Sequence, residues 1–174
     1  TPITQTVFDL GLWDVGGYTT PAGFRGWSGS RQGKAHAAQS PVFVQADAAD
    51  RGYLAGPIEP GRWWADLGVA AVGPTGASWW VEARCLAPAT GATPAAQPVD
   101  ATHVARAEAG WYFGDMHMHG FHSAGNGPSW PDFVAQARAA GLDFLPVTEY
   151  VTRAHWNELG PVQAANPDLL LWPG

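Results

Sequence analysis

His117 and His119 stand two apart in Asp115-Met116-His117-Met118-His119, directly after the run Gly110-Trp111-Tyr112-Phe113-Gly114. On an extended segment side chains alternate, so residues at i and i+2 point the same way. Two imidazoles converging on one point are the beginning of a metal site, because the neutral ring nitrogen is a good donor to a borderline cation. His122 and His155 are further candidates, each equally suited to an ordinary surface or capping role. Glu149 and Tyr150 close the run Asp143 to Tyr150. There a carboxylate can relay a proton or bind a metal, and a phenol can donate to an oxyanion or simply pack.

The elements that position these residues read as alternating strands and helices. Tyr112 to Met118 has the composition of a strand. Ser129 can cap a helix, with Asp132 three residues on in the place of the acidic partner of a capping box. The helix presents Phe133, Val134, Ala137 and Ala140 on one face and stops at Gly141. Asp143 to Thr148 is mostly apolar, as a buried parallel strand is. A second helix is expected over about 153–165 and a third strand over Asp168 to Trp172. This β-α-β-α-β order belongs to a parallel sheet or barrel, whose chemistry sits at the carboxyl ends of the strands. His117, His119, Glu149 and Tyr150 all fall at such ends.

Residues 1–108 have a different texture. Gly and Pro punctuate short runs rich in Val, Trp and Phe: Ile3 to Leu10, Pro41 to Ala46, Arg62 to Val72 and Ser78 to Leu86. The last two, separated by Gly73-Pro74 and Gly76, are expected to form an antiparallel hairpin. Strands without intervening helices predict an antiparallel β-sandwich. The adjacent pairs Trp63-Trp64 and Trp79-Trp80 place one ring on each strand face, so one of each pair is expected in a core or interface. Gly23 to Ser30 is Gly-rich and contains Arg25, but lacks the context of a phosphate loop and is expected to form a turn or an inter-domain contact. Ala87 to Asp100 reads as a linker leaving the sandwich, with the boundary between 87 and 110.

Composition narrows the classes of function. A net charge of −6, with only nine Lys and Arg in 174 residues, leaves no basic stripe for nucleic acid or an anionic membrane. The single Cys85 excludes an intramolecular disulfide framework, and its strand-like setting predicts a buried, inert thiol. No apolar run is long enough to span a bilayer, and no secretory leader is visible. The chain begins at Thr1 without Met, and a cytoplasmic location is only slightly favoured.

Gly114-Asp115-Met116-His117-Met118-His119-Gly120-Phe121-His122-Ser123-Ala124-Gly125 resembles the first motif of the PHP superfamily, the polymerase and histidinol phosphatase type of metal-dependent hydrolase. Ala137 to Tyr150 resembles its second motif. The β-rich part is similar to the N-terminal domain of the carbaryl-hydrolase-like branch. The resemblance implies a distorted seven-stranded βα barrel, of which 110–174 would be the incomplete first part. It implies a small-molecule phosphoester or ester substrate, and hydroxide on a divalent metal (zinc, manganese or iron) as nucleophile. His117 and His119 would be ligands, and Asp115 would orient one imidazole. The family usually carries Asp at the position of Ala124 and His at that of Tyr150, both ligands. Their replacement implies a reduced cluster of one or two metals in a complete protein. The chain is therefore read as a fragment that is inactive alone. The alternative is a non-catalytic protein whose Trp-rich sandwich binds a glycan or a protein partner.

Overall fold

A computed structural model describes residues 6–32, 41–87, 95–123, 127–150 and 152–174. The chain divides into two compact units, Thr1–Pro94 and Ala95–Gly174. Its elements are mixed α and β, and no helix among the described residues is long and apolar enough to cross a membrane.

The first unit is built on β1 (Val7–Trp13), β2 (Phe24–Gln32) and β3 (Trp64–Ala71). They form one antiparallel sheet in the order β2-β1-β3. Two glycines explain why β1 can sit at the centre. A Cβ on Gly11 would stand 2.3 Å from the Trp27 ring, and one on Gly68 would stand 2.9 Å from it, so the indole lies flat across both strands. Trp13 is buried and meets Tyr18, Phe24 and Trp27 edge-on, a geometry that aligns ring edge with ring face.

Several expectations are corrected here. Where a sandwich is predicted, the described residues carry this single three-stranded sheet. Gly23 to Ser30, expected as a turn or inter-domain contact, instead supplies most of β2. Gly26 and Gly29 weaken the strand pattern, while Gly26, at φ 127°, allows the Tyr53 backbone to come close. The turn after β3 does form, with Gly76 N–H donating to the Gly73 carbonyl at 3.0 Å. Ser78 to Leu86, however, does not pair with β3. It lies exposed, with Trp79 59% and Trp80 70% accessible, so neither ring of that pair is in a core. Cys85 is exposed with it. Pro41 to Ala46 contributes only an isolated bridge, Val44 with Ala49. Ile3 lies outside the described residues.

In the second unit α1 (Trp130–Ala139) follows the rules of its ends. Ser129 accepts the Asp132 N–H at 3.3 Å, and its hydroxyl donates to the Asp132 carboxylate at 2.6 Å. At the other end Gly141 takes φ 71°, its N–H bonding to the Arg138 carbonyl and the Leu142 N–H to that of Ala137. That pair of bonds satisfies carbonyls the helix itself leaves free. β4 (Phe144–Val147) and β5 (Leu170–Pro173) pair in parallel, and the link between them contains a short 3-10 turn, Ala154–Asn157, and α2 (Leu159–Ala165). The single helix expected over 153–165 is thus broken at Glu158.

Phe133, Val134, Ala137, Leu145, Val147, Leu159, Leu169 and Leu171 close into one apolar core. Each large side chain there is worth roughly 1.5–3 kcal/mol of burial. Gln163 ties α2 to β5 by donating to the Leu169 carbonyl at 2.8 Å and accepting the Leu171 N–H at 2.7 Å. Tyr112 to Met118, expected as a full strand, touches β4 through only two parallel bridges, Gly114 with Phe144 and Met118 with Val147. Those two points nevertheless set its direction and bring its carboxyl end beside that of β4.

Candidate metal centre

The bridge from Met118 to Val147 places His119 beside the end of β4, where Thr148 N–H donates to the Met118 carbonyl at 2.8 Å. The period-two geometry then brings His117 and His119 together, their Nε2 atoms 3.0 Å apart. His117 is exposed and His119 half-buried. The Tyr150 ring stacks on His119, with centroids 4.1 Å apart and planes 25° from parallel. His119 Nδ1 lies 2.9 Å from the Ser123 hydroxyl, which in turn makes a short contact with the Glu149 carboxylate.

Glu149 is committed to this loop. Its carboxylate accepts the Gly120 N–H at 3.2 Å and the His122 N–H at 3.0 Å as well as the Ser123 contact. A Cβ on Gly120 would stand 2.8 Å from Glu149 Oε1, so a larger residue there would shift the carboxylate from its seat. The arrangement makes Glu149 an anchor of the 120–123 turn. Tyr150 joins the same loop by donating its N–H to Ser123 Oγ at 3.0 Å.

Asp115, expected to orient an imidazole, instead accepts the main-chain N–H of His117 at 2.9 Å. It shapes the backbone into the site, as an aspartate two residues upstream commonly does. The side chain placed behind the His119 ring is Ser123, which sequence reasoning missed. Its only sequence signal is a hydroxyl four residues after His119. Ala124 lies outside the described residues.

His122 is buried, and its Nε2 sits 3.0 Å from Glu158 Oε2. Glu158 also accepts from Trp130 Nε1 at 2.9 Å. Burial alone would push the Glu158 carboxyl up, but the His122 and Trp130 hydrogen bonds and the nearby histidines hold it below the usual carboxylate value. His155 is fully buried, and neither of its ring nitrogens makes a well-formed hydrogen bond among the described residues. It is not the surface or capping residue it resembles in sequence. Burial pushes its pKa below the ordinary 6.5, helped by His122 and opposed by Glu149, Glu158 and the Gly174 backbone.

The sign of the resulting pH dependence follows from the neutral ring being the one that folds. Above the unfolded value of 6.5 both states hold neutral His155 and folding is unaffected. As pH falls below it, the unfolded chain binds the proton first and stability declines until the folded-state pKa is passed. Urea midpoints measured from pH 7 to 5 are expected to fall more for the parent protein than for His155→Leu. Parallel profiles would show that His155 does not supply that slope.

At the opposite, amino ends of β4 and β5 a cavity of about 230 Å³ is lined by Arg106, Arg138, Asp143 and Asp168. Both arginines are paired there, Arg106 with Asp143 at 2.9 Å and Arg138 with Asp168 at 2.7 Å. The Arg138 hydrogen bond holds the Asp168 carboxyl at about 2. Positive charge is thus neutralised at that end.

Two imidazole nitrogens bound to one tetrahedral zinc at about 2.0–2.1 Å stand about 3.3 Å apart. The observed 3.0 Å therefore fits a shared cation with a shift of a few tenths of an ångström. The pair supplies two donors, and among the described residues no group of three or more His, Cys, Asp and Glu is arranged to hold a metal ion. No family model, curated protein or solved structure matches this chain.

Proposed function

We propose that the second unit carries the first part of a metal-dependent hydrolase site of the PHP type. In this reading Gly110 to Gly174 is the opening β-α-β-α-β portion of a βα barrel, and the antiparallel sheet of the first unit is an accessory domain. The observation that carries the reading is the 3.0 Å approach of His117 and His119 Nε2 at the carboxyl end of a parallel strand pair. Two imidazole nitrogens facing each other this closely, with no carboxylate between them, form a donor pair suited to zinc, iron or manganese. A bound divalent cation supplies Lewis acidity and lowers the pKa of a coordinated water, the property that ester and phosphoester hydrolysis both use.

The chain's own groups then have distinct tasks. His117 and His119 hold the cation. Glu149 fixes the 120–123 turn through its accepted N–H bonds. Tyr150 covers one face of His119 and, as a residue 53% exposed, can pack against a small substrate. The test is metal uptake by the purified, chelator-treated protein on adding cobalt(II). A saturable d–d spectrum at about one ion per chain, displaced by zinc, is the expected result. An unchanged spectrum at millimolar cobalt would remove the basis for the hydrolase reading.

The exposure of Trp79 and Trp80 favours one second reading, a binding module in the first unit. Aromatic faces open to solvent suit sugar rings. Oligosaccharide-dependent quenching of tryptophan fluorescence, without cobalt uptake, would favour that reading over the hydrolase.

A further inference from the structure

We infer that Ser123 is a positioning residue that fixes the tautomer of His119, holding its Nδ1 protonated so that Nε2 presents a bare lone pair beside His117. The argument is one of donors and acceptors. Ser123 is buried, 8% exposed, and its hydroxyl meets three groups: His119 Nδ1 at 2.9 Å, Tyr150 N at 3.0 Å and the Glu149 carboxylate. A hydroxyl has one proton to give and two lone pairs to receive with. The Tyr150 amide can only donate. The Glu149 carboxylate, already facing the amides of Gly120 and His122, can only accept. The single hydroxyl proton therefore goes to Glu149. One lone pair takes the Tyr150 N–H, and the other is left for His119, whose Nδ1 must supply a hydrogen.

With Nδ1 protonated, a neutral His119 has Nε2 bare. That nitrogen faces His117 Nε2 across 3.0 Å, where His117 donates its own N–H when no cation is present. A residue that sets which ring nitrogen is free does for a ligand what hydrogen-bonding partners behind metal-bound imidazoles do generally. Ser123 takes the part that the sequence suggests for Asp115, and Glu149 acts one step further back by orienting the hydroxyl. The role in metal binding rests on the hydrolase reading above, whereas the tautomer does not.

Nitrogen-15 NMR of histidine-labelled, metal-free protein at neutral pH tests the inference, since protonated and bare ring nitrogens resonate far apart. In the parent protein His119 is expected to show a protonated Nδ1 and a bare Nε2. Ser123→Ala should move His119 towards the Nε2-protonated form, and Ser123→Thr, which restores the hydroxyl, should bring it back. Zinc affinity should follow, falling about 10–100-fold in Ser123→Ala and recovering in Ser123→Thr. An Nε2-protonated His119 in the parent protein would overturn the inference without recourse to any variant, as would an unchanged His119 pattern in Ser123→Ala. A protonated Nδ1 in a protein that takes up no zinc would uphold the positioning role and remove only the metal reading.

Discussion

Replacing both His117 and His119 with alanine is expected to lower zinc affinity by at least about 100-fold, with stability changed by less than about 1 kcal/mol. The two effects separate because the pair lies outside the apolar core. His117 is exposed, and among the described residues His119 is tied to Ser123, His117 and the Tyr150 ring. Losing a partner behind a ligand commonly costs 10–100-fold, and losing both ligands themselves must cost more. Titration calorimetry with zinc on parent and double variant, alongside urea denaturation, measures both quantities. His103→Ala is the control, since His103 Nε2 lies 2.9 Å from the Pro167 carbonyl and away from the pair. Zinc binding of equal strength in parent and double variant would place any metal elsewhere and sink the site.

The single variants should differ from each other. His117→Ala removes one donor and leaves His119 in its stack and hydrogen bond. His119→Ala removes a donor, takes one of three partners from the Ser123 hydroxyl and takes the surface from under Tyr150. The loop that Glu149 gathers around Gly120 and His122 does not depend on either ring. The histidine pair is therefore mounted on a turn that Glu149 fastens separately. This is why its framework is expected to survive without metal.

How much of this was legible in the sequence depended on whether the signal was local. The cap at Ser129, the stop at Gly141 and the apolar runs that become β4 and β5 are each written within a few residues, and they appear where expected. The convergence of His117 and His119 is equally local, since it needs only an extended backbone. β2 was hidden because glycines occupy the positions where strand-forming side chains would announce it. Ser78 to Leu86 erred the other way. Its composition suits a strand, but pairing needs a partner edge, and nothing inside the segment encodes that partner. Ser123 and Glu158 were unreadable for a related reason. Each earns its place through a contact 26 or more residues away in sequence, Ser123 with Glu149 and Glu158 with Trp130 and His122. The same holds for His155, whose burial depends on the broken helix folding back over the end of β5, where Trp156 Nε1 reaches the Gly174 carbonyl at 3.4 Å.

Arg25→Ala is expected to destabilise the protein by about 3–5 kcal/mol, a large share of the 5–15 kcal/mol that holds a typical domain together. Arg25 is 6% exposed in β2 and is the polar centre of the first unit. Its Nη1 bonds Asp14 at 3.1 Å and the Pro57 carbonyl at 2.8 Å. Nη2 bonds the Gly56 carbonyl at 3.0 Å, and Nε bonds that of Leu54 at 3.2 Å. The guanidinium also lies over the Trp63 ring, 5.1 Å from its centroid. Truncation would strip three carbonyls of their Arg25 donor and leave Asp14, whose side chain is only 14% exposed, with the Gly16 N–H as its partner among the described residues. A charge left alone in such a place costs more than the intact pair ever contributed. Arg25→Lys should recover little, because a single ammonium cannot reach donors spread over a planar fork. Urea unfolding followed by tryptophan fluorescence would measure both variants. A loss below about 1 kcal/mol in Arg25→Ala would mean that Asp14 and the 54–57 segment find water or other donors at no great cost. Arg25 would then be a passenger in β2 rather than the group that fastens the 54–57 segment to the sheet.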